Sequence, residues 1–446
     1  MRKILLVGWM LLLVGVAASE VRAEFALGDE DRVAFFGNKI AWAPDMPMGV
    51  ETYIRVRYPQ LQVRLRSYGW QAAGIVTGAI ERFEQQVVAS NPTVVVLCFG
   101  TDDVPRGPYR EEHCGRFGLD FAKLVERVGQ TGARVYVMTP LCPEVAGRKQ
   151  LEDISYNETV ATYAEVMRTV ADQKGAVVID WFAASKQYIE QHADNKRLAI
   201  TVKGTMPSTL GYAVGMAAIL DAWAAEPLDI TIEADWDSES ASASVGQAAV
   251  SKANDGDKIQ LKLSGMPIPW VIPERGGVTD ENWPVAKYFS FVLRVANVPN
   301  GGIMISEPGG KNAMPYLSEQ LRQGADMCFV GPLVKLGAVS NLADWMRAKY
   351  KWDREHQKWM RKPLPEPEYE QAYNTYSLGF AQYLEATNLV VLRQPRTVDA
   401  TLELFKAQPP PGFRKDKGGG GSATPAKASK AKARTKIKSK EKSGDE

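Results

Sequence analysis

The sequence predicts an α/β fold in which a parallel sheet is packed between two layers of helices, over residues 31–223. Three observations lead to this prediction. Short apolar runs alternate with amphipathic stretches, and such alternation requires crossover connections between parallel strands. Residues 93–99 are a run rich in β-branched residues, as expected of a strand buried on both faces. The first apolar run ends at Gly37, where the chain must turn into a helix.

Turn signals separate the predicted elements. Tyr58 precedes Pro59 and is therefore pushed out of the helical region, so the first long helix ends there. Pro92 ends the next helix because proline cannot continue one. The predicted strands are residues 33–36, 63–67, 93–99, 134–139, 177–180 and 198–202. The predicted helices are residues 48–58, 78–88, 121–128, 157–174 and 211–223.

The pattern changes near Glu226, where short alternating runs are separated by Gly, Pro, Asn and Asp clusters. Such runs are typical of antiparallel strands, so residues 226–340 are predicted to be a small β-rich region. Its predicted strands are residues 230–234, 258–263, 289–295 and 302–306, and residues 316–322 are predicted to be helical. A helical region is expected over residues 341–408, with helices at 341–361 and 369–386.

The two ends of the chain have compositions that differ from the body. Arg2 and Lys3 precede an apolar run, and Ala23 ends a plausible cleavage site, so residues 1–23 are predicted to be a signal peptide. We therefore expect an exported protein (periplasmic, cell-envelope or secreted) with no transmembrane helix after signal removal; an uncleaved N-terminal anchor is the alternative. Residues 409–446 are rich in Pro and Gly, then in Lys, and are predicted to be a disordered tail.

The net charge of +2 combines a basic tail with an acidic body. Residues 414–446 contain eleven Lys or Arg against four Asp or Glu, a charge of +7, and residues 1–23 contain three basic residues against one acidic, a charge of +2. Residues 24–413 therefore have a net charge of −7. Two interpretations of the tail stay open. It binds a polyanion, such as a wall polymer, a membrane surface or nucleic acid, through counterion release, or it only keeps the chain soluble. No specific nucleic-acid motif is present in the sequence.

The four cysteines do not have the spacing of a zinc site. Cys98 lies inside an apolar run and is predicted to be a small buried hydrophobic residue. Export would place the thiols in an oxidising compartment. If any pair forms, Cys114 with Cys142 is favoured, because both are predicted to follow strands; the fourth cysteine is Cys328.

Four short blocks of the α/β region share a frame with a known family. The blocks are Phe36-Gly37-Asn38-Lys39-Ile40, Ser67-Tyr68-Gly69-Trp70, Gly100-Thr101-Asp102-Asp103, and Lys203-Gly204-Thr205-Met206-Pro207-Ser208 followed by Gly211-Tyr212. Together they resemble the SGNH/GDSL hydrolases, which are exported esterases and lipases. The resemblance implies a flavodoxin-like three-layer α/β/α sandwich over residues 24–225, and a cleft for a carbohydrate or acyl ligand. We expect no cofactor and no metal.

The resemblance also places residues at the family's catalytic positions. In that family a serine after Gly-Asp attacks the acyl carbon, a glycine N–H and an asparagine amide hold the oxyanion, and an Asp-x-x-His pair supplies the base. Here Gly69 keeps the glycine. The other positions hold Asn38 for the first aspartate, Lys39 for serine, Asp102 for asparagine, Lys203 for the second aspartate and Met206 for histidine.

These substitutions are not compatible with the family's mechanism. A lysine ammonium is not a nucleophile until a base deprotonates it, and the Met206 thioether cannot take a proton. An ionised Asp102 would repel a developing oxyanion instead of donating to it. Losing the nucleophile or the base alone lowers turnover by roughly 10⁶-fold in hydrolases of this kind. The sequence therefore predicts a pseudoenzyme, a binding or scaffold module; the alternative is an active acetylesterase-like hydrolase that uses other residues.

Other side chains near the blocks offer little replacement chemistry. Lys39 and Asp102 are expected at neighbouring strand ends, where they either form an ion pair or face solvent independently. Asp102-Asp103 is an acidic pair without a third metal ligand at useful spacing. His113 is expected at the surface near the cleft, and Asn157 is expected to cap a helix. The remaining histidines are His192 and His356.

Overall fold

The computed structural model describes residues 24–70, 74, 78–252, 258–267, 283–309, 311–327, 346, 348–351, 354, 391 and 397–406. Several predictions lie outside these residues: the signal peptide, the helix at 369–386, the tail, Cys328 and His356. No helix in the described part of the chain is long and apolar enough to cross a membrane.

Strands and helices alternate over residues 24–225, as predicted. The strands are β1 (Arg32–Gly37), β2 (Arg64–Gly69), β3 (Val94–Cys98), β4 (Arg134–Met138), β5 (Val177–Ile179), β6 (Thr201–Val202) and β7 (Met206–Pro207). The helices are α1 (Lys39–Trp42), α2 (Asp45–Arg57), α3 (Ala79–Arg82), α4 (Glu111–Gly129), α5 (Lys149–Glu152), α6 (Tyr156–Lys174), α7 (Trp181–Gln191) and α8 (Thr209–Ala222). Helix α3 continues as a π-helical turn, Phe83–Val87, and a 3₁₀ turn, Val88–Ser90.

The central sheet is parallel and has the strand order β2-β1-β3-β4-β5. This is the order of flavodoxin-like folds, so the predicted three-layer sandwich is confirmed. All five residues of β3 are buried, as its valine-rich run requires. Phe35 and Phe36 of β1 enter separate apolar clusters on opposite faces of the sheet. Strand order reverses at β1, so β1 and its neighbours deliver the residues of the candidate site.

Three predictions in this region need correction. The strand at 198–202 is wrong: Leu198 ends a 3₁₀ turn capped by Asn195, and only Thr201–Val202 is extended, in a hairpin with β7. Helix α4 begins ten residues before the predicted start. Helix α7 was not predicted; the Asp180 carboxylate caps its first turn by accepting the Ala183 N–H at 3.0 Å.

The three described cysteines are buried and free. Cys98 is therefore the buried apolar residue that the sequence predicts, and burial raises the pKa of its thiol. The favoured pairing of Cys114 with Cys142 is wrong, because both thiols are free, and Cys114 lies in the first turns of helix α4 and not in a loop after a strand.

The described residues between 226 and 327, together with residues 397–406, form two further sheets. The strands are β8 (Leu228–Asp235), β9 (Ala241–Ala243), β10 (Gln247–Lys252), β11 (Lys258–Pro267), β12 (Phe289–Ala296), β13 (Gly302–Glu307), β14 (Lys311–Leu317), β15 (Ala325–Asp326) and β16 (Thr397–Lys406). Helix α9 is Ser318–Gln323. One sheet has the antiparallel order β10-β11-β16-β13-β14, and the other has the order β15-β12-β8-β9.

The structure corrects three predictions for this part of the chain. Strands β8 and β12 are parallel, so the second sheet is mixed and not antiparallel. Tyr316 belongs to β14, because α9 starts only at Ser318. Strand β16 lies inside the predicted helical region 341–408 and pairs with β11 and β13. Its alternation of apolar and polar residues fits a strand, but both partner strands are distant in sequence.

Helix α2 is joined to residues 348–351 by a fully buried ion cluster. The Glu51 carboxylate accepts from Arg55 at 2.8 Å, from the Lys349 ammonium at 2.6 Å and from the Tyr350 hydroxyl at 2.8 Å. Lys349 also donates to the Leu65 carbonyl on β2, the edge strand of the parallel sheet, at 2.6 Å. Burial alone would raise the pKa of Glu51, but Lys349, Arg55 and Tyr350 lower it below its ordinary value.

Candidate functional site

The carboxyl ends of β1, β2 and β3 bring the first three blocks together. Gly37 is in register with Gly69 on one side and with Cys98 on the other. A Cβ on Gly37 would lie 2.1 Å from the Cys98 carbonyl oxygen, and a Cβ on Gly69 would lie 1.9 Å from the Trp42 nitrogen. Both glycines are therefore required by close backbone approach, which packs helix α1 directly against the strand ends.

Asn38 begins helix α1 and is completely buried. Its side-chain oxygen accepts the Ile40 N–H at 3.2 Å, and its own backbone N–H donates to the Cys98 carbonyl at 3.2 Å. Its side-chain nitrogen has no hydrogen-bond partner. Asn38 is thus an N-cap that connects β1, β3 and α1, which is a structural role.

Lys39 and Asp102 form an ion pair at the centre of the candidate site. The Lys39 Nζ lies 2.8 Å from Asp102 Oδ1, and the Lys39 backbone N–H donates to Asp102 Oδ2 at 3.4 Å. The two side chains are 16% and 13% exposed. The predicted pairing is confirmed, and the alternative in which each group faces solvent independently is excluded.

The turn after β3 is closed by its second aspartate. Gly100 has a φ of +90°, and its N–H donates to Asp103 Oδ2 at 2.8 Å. The Thr101 hydroxyl is buried without a hydrogen-bond partner. Asp103 is therefore engaged in the turn, while Asp102 is turned toward Lys39. No group of three His, Cys, Asp or Glu suited to a metal occurs among the described residues.

The last block forms the β6–β7 hairpin, which Glu144 holds in place. The Glu144 carboxylate accepts from the Thr201 N–H and hydroxyl, each at 2.6 Å, and its backbone N–H donates to the Gly204 carbonyl at 2.9 Å. Lys203 occupies the left-handed region with a φ of +56°, at the hairpin tip. Met206 lies on β7 with 43% of its surface exposed. The block thus presents an ammonium and a thioether at the positions of the family's Asp and His.

Comparison with known proteins supports the assignment made from these blocks. Residues 36–214 match the model of the GDSL-like lipase/acylhydrolase family. These residues form a GDSL-like domain. No curated protein matches the chain by sequence.

Solved structures similar to this chain include three enzymes. One is BT4096, a gut microbial diltiazem-metabolizing enzyme, which is 14% identical with a TM-score of 0.64; the match covers 86% of this chain and 99% of that one. Another is LAE5, an α/β hydrolase enzyme from the metagenome of Lake Arreo, at 19% identity and a TM-score of 0.39 over 45% and 98% of the two chains. The third is Axe2, an acetylxylan esterase from Geobacillus stearothermophilus, at 19% identity and a TM-score of 0.37 over 44% and 96%.

The structure describes two histidines in the GDSL-like domain, His113 and His192. His113 is exposed in the first turn of α4, as expected. His192 directly follows α7; its Nδ1 lies 2.9 Å from the Tyr188 carbonyl oxygen, and its ring stacks on the Tyr188 ring at 4.2 Å. The Ser67 hydroxyl donates to the Ala41 carbonyl and is buried.

Two further residues linked to the blocks are not indicated by the sequence. Arg106 follows the third block and donates to the Thr205 hydroxyl at 3.4 Å, which connects that block to the hairpin. Tyr156 begins α6; burial raises the pKa of its phenol, and Arg106 and Asp102 act on it with opposite signs. The N-cap of helix α6 is Ser155, which lies in the left-handed region, so the capping role predicted for Asn157 is wrong. The Pro and Gly residues flanking Arg106 indicate a loop after the third block. They do not show that the Arg106 side chain reaches the β6–β7 hairpin.

Proposed function

We propose that this protein is an exported member of the GDSL-like fold that binds a ligand without hydrolysing it. It acts as a binding or scaffold module for a carbohydrate or acyl ligand, or for a cell-envelope partner. The ion pair between Lys39 and Asp102 carries this proposal. Its two members occupy the positions at which active relatives hold the nucleophile and an oxyanion donor.

The chemistry of the pair opposes acyl transfer. A lysine ammonium has no lone pair with which to attack, and the residue at the family's histidine position, Met206, is no base. A carboxylate beside the acyl oxygen raises the energy of the tetrahedral intermediate, where active relatives lower it by hydrogen bonding. Each effect alone would suppress turnover by orders of magnitude.

The same residues favour binding. Lys39 and Asp102 remain partly accessible, and together they offer both hydrogen-bond donors and acceptors. Asp102 and Arg106 both act electrostatically on the Tyr156 phenol, Arg106 contacts Thr205, and the exposed thioether of Met206 belongs to the same block as Thr205. Ligand sites commonly combine a few fixed polar groups with apolar surface, and a sugar ester or acylated sugar has both features.

A covalent probe tests the absence of an activated nucleophile. The full chain is incubated with a fluorophosphonate, which reacts with activated serine nucleophiles, and intact mass is measured. We expect no adduct. An adduct on any serine of residues 24–225 would overturn the proposal and support the alternative, an active ester hydrolase.

Calorimetry with acetylated xylo-oligosaccharides tests the binding half of the proposal. We expect saturable binding that Lys39→Met and Asp102→Asn each weaken, because each removes a polar group at the strand ends. Lys186→Met is the matched control, since Lys186 is an exposed lysine on α7. Absence of binding, or equal weakening in all three variants, would contradict a ligand site at the pair.

A further inference from the structure

The β6–β7 hairpin presents a pair of apolar side chains to solvent. Val202 on β6 lies directly opposite Met206 on β7, and Thr201 lies opposite Pro207. Side chains that are directly opposite in an antiparallel pair point to the same face, and neighbours along a strand point to opposite faces. Thr201 and Pro207 are buried, whereas Val202 and Met206 are 47% and 43% exposed. One face of the hairpin is therefore buried, and the other exposes two large apolar side chains that lie side by side.

Three basic side chains lie around the turn that joins the two strands, residues 203–205. Lys203 occupies the tip in the left-handed region and is exposed. The Arg106 guanidinium donates to the Thr205 hydroxyl at 3.4 Å. The Arg148 side chain lies against Gly204, because a Cβ on this glycine would be 2.5 Å from the Arg148 Cδ. Both arginines are exposed, so the apolar pair is flanked by three accessible cations.

These three cations have no acidic partner in the described part of the chain. No carboxylate there forms an ion pair with Lys203, Arg106 or Arg148. The groups that accept hydrogen bonds from the two arginines are neutral: the Thr205 hydroxyl for Arg106, and the Glu144 backbone carbonyl, 3.3 Å from the Nε, for Arg148. The three charges are therefore available to an external anion.

Acidic side chains in the neighbouring segments are held in other contacts. The Glu144 carboxylate accepts from the N–H and the hydroxyl of Thr201, each at 2.6 Å. The Glu152 carboxylate accepts the Gly147 N–H at 2.7 Å. Asp102 belongs to the ion pair at the candidate site. None of these carboxylates is paired with the cations around the hairpin.

An apolar pair flanked by unpaired cations matches the surface of a bilayer that contains anionic lipid. Apolar side chains enter the boundary between headgroups and acyl chains, while Lys and Arg are attracted by the negative surface potential. A soluble polyanion would use the cations but leave the apolar pair in water. We propose that Val202, Met206, Lys203, Arg106 and Arg148 form a contact surface for an anionic membrane. This surface goes beyond the proposed function and does not depend on ligand binding at the ion pair.

Co-sedimentation of the full chain with vesicles tests the surface. The vesicles contain phosphatidylcholine alone, or phosphatidylcholine with an equal amount of phosphatidylglycerol. We expect binding to the anionic vesicles that Lys203→Gln and Arg148→Gln each weaken by about fivefold, the effect of one basic residue near such a surface. Residues 414–446 are present in every variant, so differences between variants report the hairpin.

The double variant Val202→Ser, Met206→Ser removes the apolar pair without changing the charge. It should weaken binding to the anionic vesicles by about tenfold, because two half-exposed side chains lose their contact with the acyl boundary. Weaker binding in the basic variants but not in this one would indicate a surface for a soluble polyanion and would overturn the proposal.

Val177→Ser and Arg116→Gln are the matched controls. Val177 is 45% exposed on β5, and the side chain of Arg116 is 75% exposed on α4. Neither substitution should change binding. Equal binding to the two kinds of vesicle, or hairpin variants that bind as well as the controls, would contradict a membrane contact at the hairpin.

Discussion

Asp102 fixes Lys39 through both of its carboxylate oxygens. One carboxylate oxygen pairs with the ammonium at 2.8 Å, and the other accepts the backbone N–H at 3.4 Å. Since this N–H belongs to the first turn of α1, the carboxylate orders both the side chain and the start of the helix. Each charge therefore compensates the other, and removing one leaves its partner without a counter-charge in a partly buried position.

A double-mutant cycle measures this compensation. We expect Lys39→Ala and Asp102→Ala to be coupled by about 1–2 kcal/mol, between the values typical of exposed and fully buried pairs. The measurement is the free energy of urea unfolding at neutral pH. Lys186 and Glu190, an exposed pair at 3.9 Å on α7, provide the control, with coupling under about 0.5 kcal/mol. Coupling as small as in the control pair would contradict the account.

The buried Glu51 makes a second prediction at this scale. Glu51→Gln leaves Arg55 and Lys349 without their shared carboxylate, and it should reduce the free energy of unfolding by about 3–5 kcal/mol at pH 7. Glu190→Gln, at an exposed ion pair, should change it by under about 0.5 kcal/mol. Similar losses in the two variants would show that the buried cluster does not stabilise the fold.

The pH dependence of this difference follows from the pKa of Glu51. The folded-state pKa lies below the ordinary value of 4.5, so the folded state favours the carboxylate. Its contribution is complete above the unfolded pKa and is lost as pH falls through the folded pKa. Unfolding measured between pH 7 and pH 3 should therefore show wild type and Glu51→Gln converging below about pH 4.5. A constant difference over this range would contradict the lowered pKa.

Helix α1 depends on the glycine at the end of β2. A methyl group on Gly69 would meet backbone atoms of Ala41 and Trp42, which cannot rotate away.

Elements such as β1 and β3 were predictable because their apolar runs encode burial directly. The β6–β7 hairpin was not, because it is held by Glu144, 57 residues before Thr201.

Gly69→Ala should therefore lower the free energy of unfolding by about 3 kcal/mol, at the upper end for overpacking. Gly115→Ala is a matched control on α4, where an added Cβ meets nothing within 4 Å. That variant should raise stability by about 0.5–1 kcal/mol, because alanine favours a helix over glycine. Thermal and urea unfolding measure both. A harmless Gly69→Ala would mean that α1 does not pack on this strand end as described.

The whole molecule combines a GDSL-like domain with two further sheets, and its sequence patterns differ in how much they reveal. The family's frame was visible because Gly204, Pro207 and Gly211 keep their relative spacing. The partners of β16 were not visible: Gln260 on β11 contacts Glu403 on β16 across 143 residues. Local alternation predicts a strand but carries no information about a neighbour so distant.

The charge asymmetry makes a prediction for the whole chain. Removing residues 414–446 should abolish salt-sensitive binding to heparin, because these residues hold eleven of the chain's basic groups in a short segment. Affinity chromatography over a chloride gradient measures this. Elution at the same salt concentration with and without the segment would assign the binding to the body.

Hydrolysis of 4-nitrophenyl acetate by the purified full chain tests the central claim most directly. Initial rates are compared for wild type, Lys39→Ala, Asp102→Ala and buffer. The family positions hold no nucleophile and no base, and Asp102 replaces the side-chain oxyanion donor, so all three proteins should give the buffer rate. Wild-type turnover above buffer would contradict the account. Its loss in Lys39→Ala would place catalysis at the pair, and its survival there would place it elsewhere.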